Sequence, residues 1–164
     1  MVYYVIIRGP LGIGKSTIAK SLSEKIKAKH ISIDRIIDTF KKEWVWEDGY
    51  ISQKTFIHGN ELIVPEAKTF LETGKVVVFD GNFYHKSQVD DLIKRLKFSH
   101  YVFTLTAPLE VCIARDVERG KTHGEDAARA VYKKSTKFTY GTQIDATKPL
   151  DKCIREIISY LPSN

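Results

Sequence analysis

Apolar residues recur along this chain at two spacings, and the way the two alternate predicts a layered α/β domain. Residues 2–7 form a short continuous apolar run, the pattern of a strand buried on both faces. From Thr17 to Ile26 apolar residues return at helical spacing, so a helix is expected over 16–28. A second short strand at 30–33 ends at Asp34, and helical segments are expected at 35–44 and 55–72. The strongest strand signal is Val76-Val77-Val78-Phe79, which ends at Asp80. Residues 86–96 read as a helix, 101–105 as a strand, and 108–116 as a helix with proline near its first turn. A basic helix at 127–138, a last strand near 142–144 and a helix over 149–161 complete the series. Such alternation predicts a three-layer, doubly wound domain with a parallel, five-stranded sheet, and one domain over residues 1–164. Segments around Asp48-Gly49 and from Gly120 to Gly124 are expected to be mobile.

Between the first strand and the first helix lies Gly9-Pro10-Leu11-Gly12-Ile13-Gly14-Lys15-Ser16-Thr17, which fits G-x-x-x-x-G-K-[ST] with no mismatch. In this loop the glycines let successive backbone N–H groups converge on phosphate oxygens, and the helix N-terminus adds partial positive charge. Lys15 would reach the outer phosphates, and the Ser16 hydroxyl would ligate Mg²⁺. Gly9, Gly12, Ile13, Gly14, Lys15, Ser16 and Thr17 are therefore the expected nucleotide-binding residues. The expected ligand is a nucleoside triphosphate.

In open parallel sheets, ligands bind beyond the carboxyl ends of the strands. Asp80 falls there and is expected to hold Mg²⁺ beside Ser16; capping the following turn is the alternative. Asn82 would orient an acceptor or a metal-bound water, or serve only the turn. Asp34, at the tip of the second strand, could accept the proton of an attacking hydroxyl, or could cap a helix starting at Arg35. Arg115 and Arg119 are four residues apart, so a helix presents both on one face. With glycines at 120 and 124 they are expected to form a mobile lid around 115–125 that neutralises the transferring phosphoryl group. Their alternative is an exposed pair bridged to Asp116 and Glu118. The expected catalytic set is thus Lys15, Asp34, Arg115 and Arg119, with Ser16 and Asp80 at the metal. Trp44, Trp46 and Tyr50 could stack a base or pack a cover over the sheet. The five histidines share no metal-ligand spacing, and no zinc is expected.

Composition changes this picture in two places. The 164 residues carry a formal charge of +6, and residues 1–42 hold nine basic side chains against Glu24, Asp34 and Asp38. Such a surplus suits an anionic partner, nucleic acid included, although Lys20, Lys25, Lys27 and Lys29 would also fit a solvated helix face. No apolar run approaches 18 residues and the start enters a strand directly, so neither a membrane span nor a signal peptide is expected. Cys112 and Cys153 sit in apolar-periodic stretches, where a free cysteine behaves as a small buried hydrophobe. A reducing, cytoplasmic setting follows.

With these residues placed, the chain resembles the small P-loop kinases of the adenylate-kinase-like group, over nearly its whole length. In motif pattern it is most similar to the polynucleotide 5′-kinase domain: Gly9–Thr17, Asp34, Asp80-Gly81-Asn82, Arg115 to Gly120, and Tyr132-Lys133. The resemblance departs at Ile37, where that domain has an arginine for the acceptor's phosphate. It implies ATP and Mg²⁺ as cofactors and γ-phosphoryl transfer to a hydroxyl, with a polynucleotide or nucleotide as acceptor. A kinase of a nucleoside, sugar or antibiotic is the alternative within the class. A nucleotide-binding regulatory protein without catalysis is the alternative outside it, although a mere binder needs neither Asp34 nor the arginine pair.

Overall fold

A computed structural model of the chain describes residues 1–120 and 124–163. Five strands, β1 (Tyr4–Arg8), β2 (Lys29–Ser32), β5 (Val77–Gly81), β6 (His100–Thr106) and β7 (Thr142–Asp145), form one sheet in the order β2-β5-β1-β6-β7. Every neighbouring pair in it is parallel. Because side chains alternate across a strand, the apolar run of β1 feeds two cores at once. Tyr4 and Ile6 join the core beneath α2 (Ile33–Asp38), α3 (Gln53–Glu72) and α4 (Lys86–Leu96). Val5 and Ile7 join the core beneath α1 (Lys15–Ile26) and α7 (Leu150–Ser159), with Cys112 and Cys153 buried in it. Two-sided burial is the reason this strand needs no polar positions. The expected architecture is the one observed.

Two further helices, α5 (Leu109–Glu118) and α6 (Glu125–Ser135), pack on each other beyond the carboxyl edge of the sheet. Arg8, at the end of β1 and wholly buried, ties this part to the sheet. Its guanidinium donates to the carbonyls of Phe83, Ser135 and Phe138 and to the Thr104 hydroxyl, under the Phe138 ring. Burial pulls its pKa down to about 10, which still leaves it charged at neutral pH.

The segment after Asp34 differs from expectation. Helix α2 starts at Ile33 and ends at Asp38, so Asp34 lies inside its first turn and Ser32 occupies the N-cap position. A 3₁₀ turn at Lys41–Glu43 follows. A two-stranded hairpin, β3 (Trp46–Glu47) and β4 (Tyr50–Ile51), then lies between the two segments expected to be helical, 35–44 and 55–72. Asp48 and Gly49, expected to be a mobile loop, form its two-residue turn with φ of 50° and 80°, the conformation that favours Asp-Gly. The expected lid over 115–125 lies partly outside the described residues, which exclude 121–123.

Candidate active site

The loop between β1 and α1 runs against α5. A Cβ on Gly12, where φ is +78°, would lie 2.2 Å from the Cys112 carbonyl oxygen, so only glycine fits this contact. Gly14 is the N-cap of α1, and Gly9 precedes the turn in which Ile13 N–H donates to the Pro10 carbonyl. Ile13 itself is buried in the α1-side core. Lys15, at the first position of α1, is buried, and its Nζ donates to the Pro10 carbonyl at 3.3 Å. Burial lowers its pKa, while Asp34 and Asp80 oppose that effect and Arg119 adds to it. The ammonium thus feels both carboxylates and Arg119, and its donor position is one that phosphate oxygens can take over.

Asp80, only 1% exposed, gathers three side chains. Ser16 Oγ donates to its Oδ1 at 3.2 Å, Ser32 Oγ approaches the same oxygen at 3.5 Å, and His30 Nε2 contacts Oδ2. A hydroxyl and a carboxylate meeting at the end of a phosphate loop suit a hard, oxygen-loving cation such as Mg²⁺, which takes one or two carboxylates and completes its shell with water and phosphate. No cluster of three His, Cys, Asp or Glu that could cage a metal occurs among the described residues.

Asp34 faces the same cavity from α2. Both its carboxylate oxygens accept from the Asn82 backbone N–H, at 3.2 and 3.1 Å. Gly81 lies beside it: a Cβ there would crowd the Phe83 ring at 3.1 Å and meet Asp34 Oδ1 at an ordinary 3.4 Å. Burial raises the Asp34 pKa, and Lys15 and the Asn82 hydrogen bond only partly offset it. A carboxylate shifted upward and turned toward an open cavity is equipped to take a proton.

The two arginines of α5 part ways. Arg119, at the C-cap of the helix, lines the cavity. Arg115 instead donates to the Ile13 carbonyl at 2.8 Å and the Ala146 carbonyl at 2.9 Å. It clamps the phosphate loop to the turn after β7. The two arginines expected to close together over the phosphoryl group thus have different surroundings in the structure, Arg115 on these two carbonyls and Arg119 on the cavity.

The shared cavity measures about 1330 Å³ and is lined by Gly12, Lys15, Ser16, Thr17, Asp34, Asn82 and Arg119 among others. Its lining also includes the aromatic residues Trp44, Trp46, Tyr50, Phe56 and Tyr84, and His30, Lys20, Lys27 and Lys75. Trp44 is pinned by its Nε1–H to the Ile37 carbonyl at 2.9 Å, and Trp46 stands edge-on to it, 62% exposed. Tyr50 bridges to α6, donating to the Ala130 carbonyl at 3.2 Å beneath Lys134 Nζ, 4.6 Å from the ring centre. Sequence reasoning missed His30 and the structural arginine at position 8. Neither carries a motif, and both acquire partners only in the folded chain, His30 from β5 and Arg8 from Phe83, Thr104, Ser135 and Phe138.

Residues 5–139, most of the chain, match the AAA domain family. The chain belongs to that family. Over 90% of its length it is 29% identical to L-seryl-tRNA(Sec) kinase of Methanococcus maripaludis, of which it spans 60%. It is 26% identical to adenylate kinase of Mycoplasmopsis pulmonis, with 93% of this chain and 75% of that protein covered. In fold it matches a sugar kinase from Janibacter sp. HTCC2649, with a TM-score of 0.78 at 15% identity and 98% and 94% of the two chains covered. By fold and by phosphate loop this AAA domain resembles the P-loop kinases. No described helix is long and apolar enough to cross a membrane.

Proposed function

We propose that the protein transfers the γ-phosphoryl group of ATP to an acceptor hydroxyl seated against Asp34. The observation that carries this reading is the Asp34 carboxylate itself, shifted upward by burial and sharing one cavity with Lys15 and Arg119. Asp34 takes the proton of the attacking hydroxyl as its oxygen bonds to the γ-phosphorus; the bond to the β,γ-bridging oxygen breaks, and ADP leaves. Lys15 and the loop N–H groups hold the outer phosphates, and Arg119 meets the charge that spreads over the transferring group. Ser16 and Asp80 would hold Mg²⁺, which neutralises phosphate charge when bound. Arg115 acts at one remove, by fixing the loop.

For the acceptor, a polynucleotide or nucleotide is the favoured class. The aromatic lining suits an unpaired base, and exposed lysines at positions 20, 27 and 75 line the same cavity. The relative that acts on L-seryl-tRNA(Sec) also supports an acceptor hydroxyl carried on nucleic acid. A small neutral acceptor is the second reading. It is favoured by Ile37, an apolar lining residue where the polynucleotide kinase pattern has a phosphate-binding arginine. The test is a screen of labelled ATP against RNA and DNA ends, aminoacyl-tRNA, nucleotides, nucleosides and sugars. On the favoured reading the labelled product is a nucleic acid or nucleotide, its binding falls steeply with salt, and Trp46→Ala weakens it by about 1–3 kcal/mol. Salt-insensitive labelling of a neutral small molecule alone would decide for the second reading.

A further inference from the structure

His30 was unassigned by every motif, yet it is the partner of the carboxylate at the centre of the metal reading. Strands β2 and β5 run parallel with Ser32 opposite Asp80 and His30 opposite Val78. Side chains two apart on a strand share a face, so this register sends His30, Ser32 and Asp80 to the same side, toward α1. There the two oxygens of Asp80 are divided. Oδ1 faces the hydroxyls of Ser16 and Ser32, and Oδ2 is taken by His30 Nε2. An ionised carboxylate only accepts, so Nε2 is the donor. Asp80 is almost wholly buried, whereas the His30 side chain is 27% exposed and lines the cavity.

We propose that His30 is a positioning residue for the metal carboxylate: by occupying Oδ2 it fixes the rotation of Asp80 and leaves Oδ1 toward Ser16 and the nucleotide's metal. The proposal rests on the reading of Ser16 and Asp80 as the Mg²⁺ site and is independent of the acceptor. Without the histidine, Oδ2 would be a buried acceptor lacking its partner, and the carboxylate would be free to turn. Hydrogen-bonding partners of metal ligands are typically worth about 10–100-fold in metal affinity.

The experiment measures ADP binding by titration calorimetry with and without Mg²⁺, in wild type, His30→Leu and His30→Gln, with no acceptor and no turnover. Leucine removes the donor at similar bulk, and glutamine keeps an N–H. The expected result is a roughly 10–100-fold weaker metal affinity in the leucine variant, partial recovery with glutamine, and metal-free ADP affinity within about twofold of wild type. Equal metal affinity in all three proteins would overturn the proposal, as would a metal-free loss as large as the metal-linked one. If the leucine variant fails to fold, the glutamine variant decides: a metal-linked loss of about 2–10-fold with metal-free ADP affinity kept is expected, and metal affinity equal to wild type would overturn the proposal. If wild type itself shows no metal-linked gain in ADP binding, the Ser16–Asp80 metal site falls, and His30's role with it.

Discussion

At the scale of single residues, the site works by placing charges where water would not leave them. Asp34 is the clearest case: burial raises its pKa, so the folded protein holds that proton more tightly than the unfolded chain does. Stability from this group is therefore greatest at low pH and declines as pH rises from the unfolded carboxylate range through the higher folded value. Activity has the opposite sign, because the base must be ionised. The kcat of the wild type should fall on acidification along a limb set above the ordinary carboxylate range, and a pH profile of transfer checks this. Arg115 and Arg119, which the sequence presents as equals, should behave differently. Arg119→Ala should lower kcat by about 10³-fold or more with ATP binding retained. Arg115→Ala should chiefly weaken ATP binding, because the clamp on the Ile13 and Ala146 carbonyls is lost. Steady-state kinetics with direct nucleotide titration separates the two, and identical effects would contradict the division.

Among the elements, β1 and α6 are coupled through one side chain. Arg8→Ala would leave the Phe83, Ser135 and Phe138 carbonyls short of a donor and open a void under the Phe138 ring. A loss of about 3–5 kcal/mol is expected, read from the denaturant midpoint at unchanged slope. Most elements were legible beforehand because their signals are local. The apolar runs at positions 2–7 and 76–79 contain only residues that a doubly buried strand accepts, and the phosphate loop is written contiguously between its strand and its helix. Helix 86–96 was legible to the residue. What escaped depends on tertiary neighbours. The hairpin strands at Trp46–Glu47 and Tyr50–Ile51 are too short for a period-2 pattern, although Asp48-Gly49 was a turn signal of the hairpin kind. His30 meets Asp80 only because β2 pairs with β5, a register that no local pattern encodes. The different fates of the α5 arginines depend on which carbonyls the phosphate loop and the turn after β7 expose.

For the molecule as a whole, three separated stretches of chain converge at the carboxyl edge of one sheet: the loop after β1, Asp34 in α2 and Asp80 in β5. The hairpin and α6 both line the cavity and touch through Tyr50. On the proposed function an acceptor hydroxyl seated against Asp34 would displace water there, so transfer should exceed hydrolysis once the right acceptor is present. The central claim is that Asp34 is the base for transfer to a hydroxyl. Its most direct test follows label from γ-labelled ATP into the best acceptor of the screen, in wild type and in Asp34→Asn, with ATP affinity measured in parallel. Asparagine can still accept from the Asn82 N–H but is no base at neutral pH. The expected result is unchanged ATP affinity with transfer slowed by about 10²–10⁴-fold. Equal labelling by both proteins, or label released only to water whatever the acceptor, would contradict the claim.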